Sequence, residues 1–129
     1  MIFKKYYSFI APLKKIKERN KYKISRGSIY FKSISKLNKT PTNALIPKNE
    51  FIVVVYKSTV FWALFRCPCG CNDVITLSLQ KIHDPSWTVF ETANGRPTVY
   101  PSIWRNQGCH SHFWIEDGKV YWAQDVFYI

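Results

Sequence analysis

The sequence predicts a mainly β protein, a small antiparallel β domain that follows a basic N-terminal segment. From residue 51 onward, short runs of β-branched and aromatic residues alternate with turn residues, which is typical of antiparallel strands. The basic residues concentrate instead in the first third of the chain, which is heterogeneous in its pattern. We therefore divide the 129 residues into a basic, partly ordered segment, 1–48, and a β domain, 49–129.

Seven segments of the β domain have strand character because they combine β-branched or aromatic residues with turn residues at their ends. They are FIVVVY (51–56), TVFWALFR (59–66), DVITLSL (73–79), WTVFE (87–91), TVYPSIW (98–104), HFWIE (112–116) and KVYWA (119–123). Asp-Gly and Asn-Gly favour tight hairpin turns. We therefore expect hairpins at Glu116-Asp117-Gly118 and at Asn94-Gly95.

The N-terminal segment has weaker signals. Lys14 to Lys21 is expected to form a short basic helix, with Pro12 near its start. Ser28 to Ser33 alternates apolar and polar residues and can form a strand. Asn38 to Pro47, which contains two prolines, is predicted to be a loop.

The net charge of +11 resides entirely in the N-terminal segment. Residues 1–40 contain twelve Lys or Arg and one acidic residue, Glu18, whereas residues 41–129 contain seven basic and seven acidic residues. Such a segment attracts nucleic acid, anionic lipid or an acidic partner. A Lys-rich stretch is a weak motif, however, and a solubilising extension explains it equally simply.

The sequence also predicts where the protein resides. No apolar run reaches the roughly 7 residues of a secretory signal, and none approaches the ~18 residues of a membrane span. We therefore expect a cytoplasmic protein without a transmembrane segment. In a reducing compartment, four cysteines indicate metal binding or chemistry rather than disulfides.

The cysteines form two clusters that predict a single zinc site. Cys67, Cys69 and Cys71 lie on a Gly- and Pro-containing turn between two strands, and Cys109 and His112 lie at the start of the strand HFWIE. Zinc prefers four nitrogen or sulphur ligands in a tetrahedron. Five candidates therefore compete for four positions, and spacing alone does not choose among them. A zinc ion here would clasp two distant turns of the β domain.

Other interpretations of these residues were weighed. Buried free cysteines behave as small apolar side chains, but that does not explain two clusters on turns. Iron is less suited than zinc to a mixed Cys/His set. A catalytic zinc needs an open position and a base, and the available acids lack motif spacing: Asp73, Glu91, Glu116 and Asp125. The sequence favours a structural zinc and assigns no catalytic residue.

Four motifs resemble a family of small bacterial proteins of unassigned function. They are Cys67-Pro68-Cys69-Gly70-Cys71, Pro101-Ser102-Ile103, Cys109-His110-Ser111-His112-Phe113-Trp114-Ile115 and Val120-Tyr121-Trp122-Ala123. The resemblance covers about residues 50–123. It departs from the family at Asn72 and at Trp104-Arg105-Asn106. It implies a zinc-binding module whose genes lie beside those of ubiquitin-like conjugation systems.

Three functions follow as hypotheses. The resemblance favours a zinc-binding accessory or adaptor module that binds a protein partner in a bacterial ubiquitin-like conjugation pathway. The charge of residues 1–40 suggests, as an alternative, a zinc module that binds nucleic acid. A second alternative is a hydrolase that acts on ubiquitin-like conjugates through the zinc or through Cys109. Whether the protein is an enzyme stays open, with a non-enzymatic module preferred.

Overall fold

The computed structural model describes residues 28–123, which form two small β-sheets. Each sheet has four strands, in the orders β1-β2-β3-β4 and β5-β6-β7-β8. A 3-10 helix, Asn43–Leu45, lies between β1 and β2. The strands are β1 Ile34–Leu37, β2 Phe51–Tyr56, β3 Thr59–Arg66, β4 Val74–Ser78, β5 Thr88–Glu91, β6 Pro97–Trp104, β7 His112–Glu116 and β8 Lys119–Trp122. The prediction of a mainly β fold is confirmed.

The strand predictions agree closely with the structure from residue 51 onward. The predicted bounds of β2, β3 and β7 are reproduced, and those of the other strands differ by one residue at an end or at both ends. Asp117 and Gly118, with φ of 51° and 75°, form the tight turn between β7 and β8. Gly95, with φ of 76°, lies in the hairpin loop between β5 and β6. Both predicted hairpins are therefore confirmed.

Two local expectations were wrong. Residues 28–33 do not form a strand but only an isolated bridge between Ile29 and Lys119. The alternation there reflects the burial of Phe31, whose backbone N–H and that of Tyr30 both donate to the carbonyl of Gly118. The first strand is β1, and it pairs with β2 in parallel rather than antiparallel.

The structure describes residues 28–48 of the predicted N-terminal segment. The predicted helix from Lys14 to Lys21 lies outside the described residues. Phe31 and Ile46, both from the predicted N-terminal segment, are fully buried. The boundary at residue 48 stays a prediction. Within residues 28–123, no helix combines the length and apolar character needed to cross a membrane.

The two sheets pack face to face around a shared core. Phe31 contacts the rings of Phe51 and Phe65, each at a centroid distance of 5.4 Å. Alternate residues of β2, β3, β6 and β7 point into this core, which is why those strands are rich in Val, Ile and Phe. The outer face of the first sheet holds a second, smaller cluster that includes Ile46 and Ile52. Sheet packing thus fixes which residues of β6 and β7 point outward.

Candidate metal centre and serine–histidine pair

The structure brings the four cysteines together. The Sγ atoms of Cys67, Cys69, Cys71 and Cys109 all lie within 4.8 Å of one another. The Sγ atoms of Cys67 and Cys109 are 3.7 Å apart. Four thiolates at the usual Zn–S distance of about 2.3 Å are separated by about 3.8 Å in a tetrahedron. The donor set therefore fits a zinc ion in both chemistry and spacing.

The first three cysteines are placed by a tight turn between β3 and β4. The N–H of Cys67 donates to the carbonyl of Asp73 at 2.8 Å, which closes the turn. Gly70 has φ of 96°, a conformation that L residues avoid. The N–H of Cys71 points at the sulphur of Cys69 at 3.3 Å. Backbone N–H groups of this kind stabilise thiolate charge.

Arg105 supplies positive charge beside the sulphurs. Its Nη1 lies 3.5 Å from the sulphur of Cys109 and 3.6 Å from that of Cys71. The same atom pairs with a carboxylate oxygen of Asp73 at 3.2 Å. Burial acts to lower the pKa of Arg105, but the hydrogen bond to Asp73 raises it above its ordinary value. Four thiolates exceed the charge of one divalent cation, so a permanent cation here stabilises the centre.

The thiols differ in their proton affinity. Burial raises the pKa of Cys67 to about 12. Burial also disfavours the thiolate of Cys109, but hydrogen bonds with Ser111 outweigh it and lower the pKa to about 6. The thiols are thus not uniformly ionised at neutral pH, and a bound cation would favour the thiolate form of each.

The fifth candidate, His112, has a different contact. It does not belong to the group of four sulphurs. Its Nε2 lies 3.0 Å from the hydroxyl oxygen of Ser102. The ring is 6% exposed. One face stacks on the indole of Trp104, with centroids 4.4 Å apart and an interplanar angle of 4°. The structure therefore places His112 in a serine–histidine pair.

A bulge in β6 presents Ser102. Val99 lies opposite Ile115 and Ile103 lies opposite Phe113, so three residues of β6 face one residue of β7. Bulges of this kind redirect side chains and occur next to active sites. The indole N–H of Trp87 donates to the carbonyl of Ser102 at 3.1 Å, which anchors the bulge.

The pair has the geometry of an activated nucleophile. A hydroxyl within hydrogen-bond reach of an imidazole nitrogen can pass its proton to that nitrogen while it attacks an electrophile. Ser102 is half-buried, on a face of the sheet away from the core. The pair can therefore perform nucleophilic acyl chemistry.

A second serine–histidine pair occurs between β4 and β5. The hydroxyl of Ser78 lies 2.5 Å from Nδ1 of His83. That hydroxyl also accepts the N–H of Gln80, and Ser78 is 8% exposed at the end of a regular strand. These contacts fasten the β4–β5 loop, so this pair is structural. His83 is exposed in its loop, as the sequence indicated.

The two centres share one connection. The loop from Arg105 to Ser111 joins the strand of Ser102 to the strand of His112. Its ends are held by a hydrogen bond of 2.8 Å from the N–H of Arg105 to the carbonyl of Ser111. Cys109, in the middle of this loop, anchors it to the other three sulphurs. One short loop therefore connects the four cysteines to the serine–histidine pair. The loop is fixed by its backbone hydrogen bond and by Cys109.

Sequence reasoning missed Ser102 as a functional residue. It appeared only within the motif Pro101-Ser102-Ile103. The available signal was the hairpin: two strands joined by the loop 105–111 bring a serine and a histidine near each other. The bulge that completes the approach has no such signal. Of the acids that the sequence offered, Asp73 pairs with Arg105 and Glu91 pairs with Lys36, whereas Asp125 lies outside the described residues.

Comparison with known proteins identifies the class. The family described as "Bacterial ubiquitination-like system serine protease (BubE)" matches residues 37–123. The chain belongs to this family. No curated protein and no solved structure matches the chain.

The family match can be compared with the functions that the sequence led us to expect. The expected association with a bacterial ubiquitin-like system is confirmed by the match. The description of the family names a serine protease, and the case for a metal rests on the cysteines alone. No observation in the described part of the chain supports nucleic-acid binding.

Proposed function

We propose that this protein is a serine peptidase that acts on proteins of a bacterial ubiquitination-like system. Ser102 is the nucleophile and His112 is the general base. The observation that carries the proposal is the 3.0 Å contact between the Ser102 hydroxyl and Nε2 of His112. The family description gives independent support.

The pair divides the reaction into two steps. The Ser102 oxygen attacks the carbonyl carbon of the scissile bond while its proton passes to Nε2 of His112. The protonated imidazole then gives that proton to the leaving amine, and an acyl ester forms on Ser102. Water hydrolyses the ester with His112 again acting as the base, which restores the serine.

The four cysteines are proposed to hold a structural zinc ion. Cys67, Cys69, Cys71 and Cys109 would supply the four ligands that zinc prefers, which would leave no position for a reactive water. When bound, the ion supplies a rigid link between the β3–β4 turn and the β6–β7 loop. His112 is then available to Ser102 rather than to the metal. This assignment chooses four ligands from the five sequence candidates.

The position of the loop explains why a peptidase would carry such a site. A shift of about 1 Å between a nucleophile and its base is enough to reduce turnover strongly. Ser102 and His112 lie on strands that the loop 105–111 connects, and Cys109 and Arg105 both belong to that loop. The metal centre would therefore hold the two catalytic side chains in register.

The direct test is turnover with a matched pair of variants. The substrate is a ubiquitin-like protein of such a system, fused at its carboxyl end to a reporter. Ser102→Ala is expected to reduce cleavage by at least about 10³-fold, because the nucleophile is lost. Ser78→Ala removes the serine of the structural pair and should change cleavage by less than about threefold. A cooperative thermal unfolding transition in each variant would show that both are folded.

Two outcomes would reject the proposal. If Ser102→Ala cleaves the fusion as fast as the wild type, Ser102 is not the nucleophile. If the wild type cleaves no fusion and no conjugate of such a system, a non-enzymatic adaptor is the better description. Loss of cleavage in Cys109→Ser with metal retained would instead favour the thiol alternative.

A further inference from the structure

Trp104 is an exposed aromatic side chain beside the proposed catalytic pair. Its side chain is 64% exposed, although it lies on a strand that contributes to the core. It is two residues after Ser102 and pairs in register with His112 across the sheet. A single exposed aromatic side chain is common on protein surfaces, but this indole makes a specific contact within the site.

That contact is the stack on His112. The two rings are nearly parallel, at 4° and with centroids 4.4 Å apart. The ring centroid of Trp114 lies 5.4 Å from that of the same imidazole, and the two rings are tilted by 32°. Trp104 thus covers one face of the His112 imidazole. This contact limits rotation of the imidazole, which would otherwise move Nε2 away from Ser102.

We propose that Trp104 is a positioning residue for His112, which keeps Nε2 directed at Ser102 and stabilises the imidazolium that forms during the reaction. This inference rests on the proposed peptidase function. Nothing in the description of the family assigns a role to this residue.

The chemistry of the stack supports both parts of the role. As the general base, His112 gains a positive charge when it accepts the Ser102 proton. The negative face of an indole attracts a cation that lies over it, and tryptophan is the best side chain for this interaction. The stack is therefore worth more in the transition state than in the resting enzyme, which is the condition for raising kcat.

Because Trp104 is exposed, it can be replaced with little effect on the packing of the core. It is not part of the buried core, so its replacement should leave the fold intact. Trp104→Phe keeps an aromatic face of weaker electrostatic character. Trp104→Leu keeps apolar bulk but removes the face. Tyr56→Leu is a matched control, because Tyr56 is 50% exposed in a strand of the other sheet.

The experiment measures steady-state hydrolysis of p-nitrophenyl acetate by the full-length protein. We expect kcat to fall in the order wild type, Trp104→Phe, Trp104→Leu, with a loss of about tenfold for the leucine variant. KM should change by less than about twofold, because the stack acts on the proton-transfer step. Tyr56→Leu should match the wild type.

Two results would overturn the inference: an unchanged kcat in Trp104→Leu, and a loss of kcat in Trp104→Phe as large as that in Trp104→Leu. An unchanged kcat with a raised KM would make Trp104 a residue that only contacts substrate. The proposed function fails in a separate and earlier way, when the wild type hydrolyses the ester no faster than Ser102→Ala.

Discussion

At the scale of single residues, the main lesson concerns His112. Its spacing from Cys109 matches a metal-ligand pattern, and the sequence therefore made it the fifth candidate ligand. In the structure its imidazole lies against Ser102 and contacts two indoles, while the four sulphurs converge without it. Local spacing could not separate these alternatives, because the partner of His112 comes from another strand.

The division between cysteines and histidine can be tested by metal content. His112→Ala should retain the zinc of the wild type, since its ring contacts Ser102 rather than the sulphurs. Cys109→Ser should lose most of it, because a hydroxyl is a far poorer zinc ligand than a thiolate. The measurement is metal per chain by elemental analysis after gel filtration. Loss of zinc from His112→Ala would return the histidine to the ligand set.

At the scale of elements, strands were predictable and their irregularities were not. Runs of β-branched and aromatic residues between turn residues predicted the bounds of β2, β3 and β7 to the residue. The bulge that presents Ser102 depends on how β6 meets β7 and has no local signature. Phe31 was assigned to a strand because its neighbours alternate in polarity, yet it reaches the core from an irregular segment that caps the β7–β8 turn.

The carboxylate of Asp117 connects the two hairpin turns of the second sheet, β5–β6 and β7–β8. Asp117, in the β7–β8 turn, accepts hydrogen bonds from Thr92, Asn94 and Arg96 of the β5–β6 loop. The bond from Arg96 has the largest effect on the pKa of Asp117 and lowers it to about 2, with smaller contributions from Thr92 and Asn94. The carboxylate thus stabilises the folded state in its ionised form.

This carboxylate predicts a pH dependence of stability. The folded-state pKa lies below the unfolded value, so the stabilisation is complete above about pH 4 and is lost as the pH falls towards 2. Asp117→Asn tolerates the positive φ but should cost about 1–2 kcal/mol at pH 7. Urea unfolding of both proteins should show this difference shrinking between pH 4 and pH 2.5. A difference that does not depend on pH would contradict the role of the charge.

At the scale of the whole molecule, the cysteine centre connects the two sheets. Three of its sulphurs follow β3 in the first sheet, and the fourth lies between β6 and β7 in the second. The sequence predicted this clasp across a small β domain, because both cysteine clusters lie on turns. It could not predict that the second turn also joins the strands of Ser102 and His112, the proposed catalytic pair, since that depends on the pairing of β6 with β7.

The charge distribution belongs to the same scale. Most of the basic segment precedes residue 28, and its proposed attraction for an anionic partner stays a prediction. The residues that follow contribute β1 and two core side chains, Phe31 and Ile46. Residues 28–40 thus belong both to the basic stretch of the sequence and to the folded domain.

The central claim is a reactive Ser102 that the metal centre holds in place. It is tested most directly by peptide mapping after reaction with a fluorophosphonate, with and without prior chelation of the metal. The account predicts one adduct, on Ser102, which forms at least about tenfold more slowly once the metal is removed, because the β6–β7 loop then loses its anchor. No adduct on Ser102 in the metal-loaded protein, or equal rates in both forms, would contradict it.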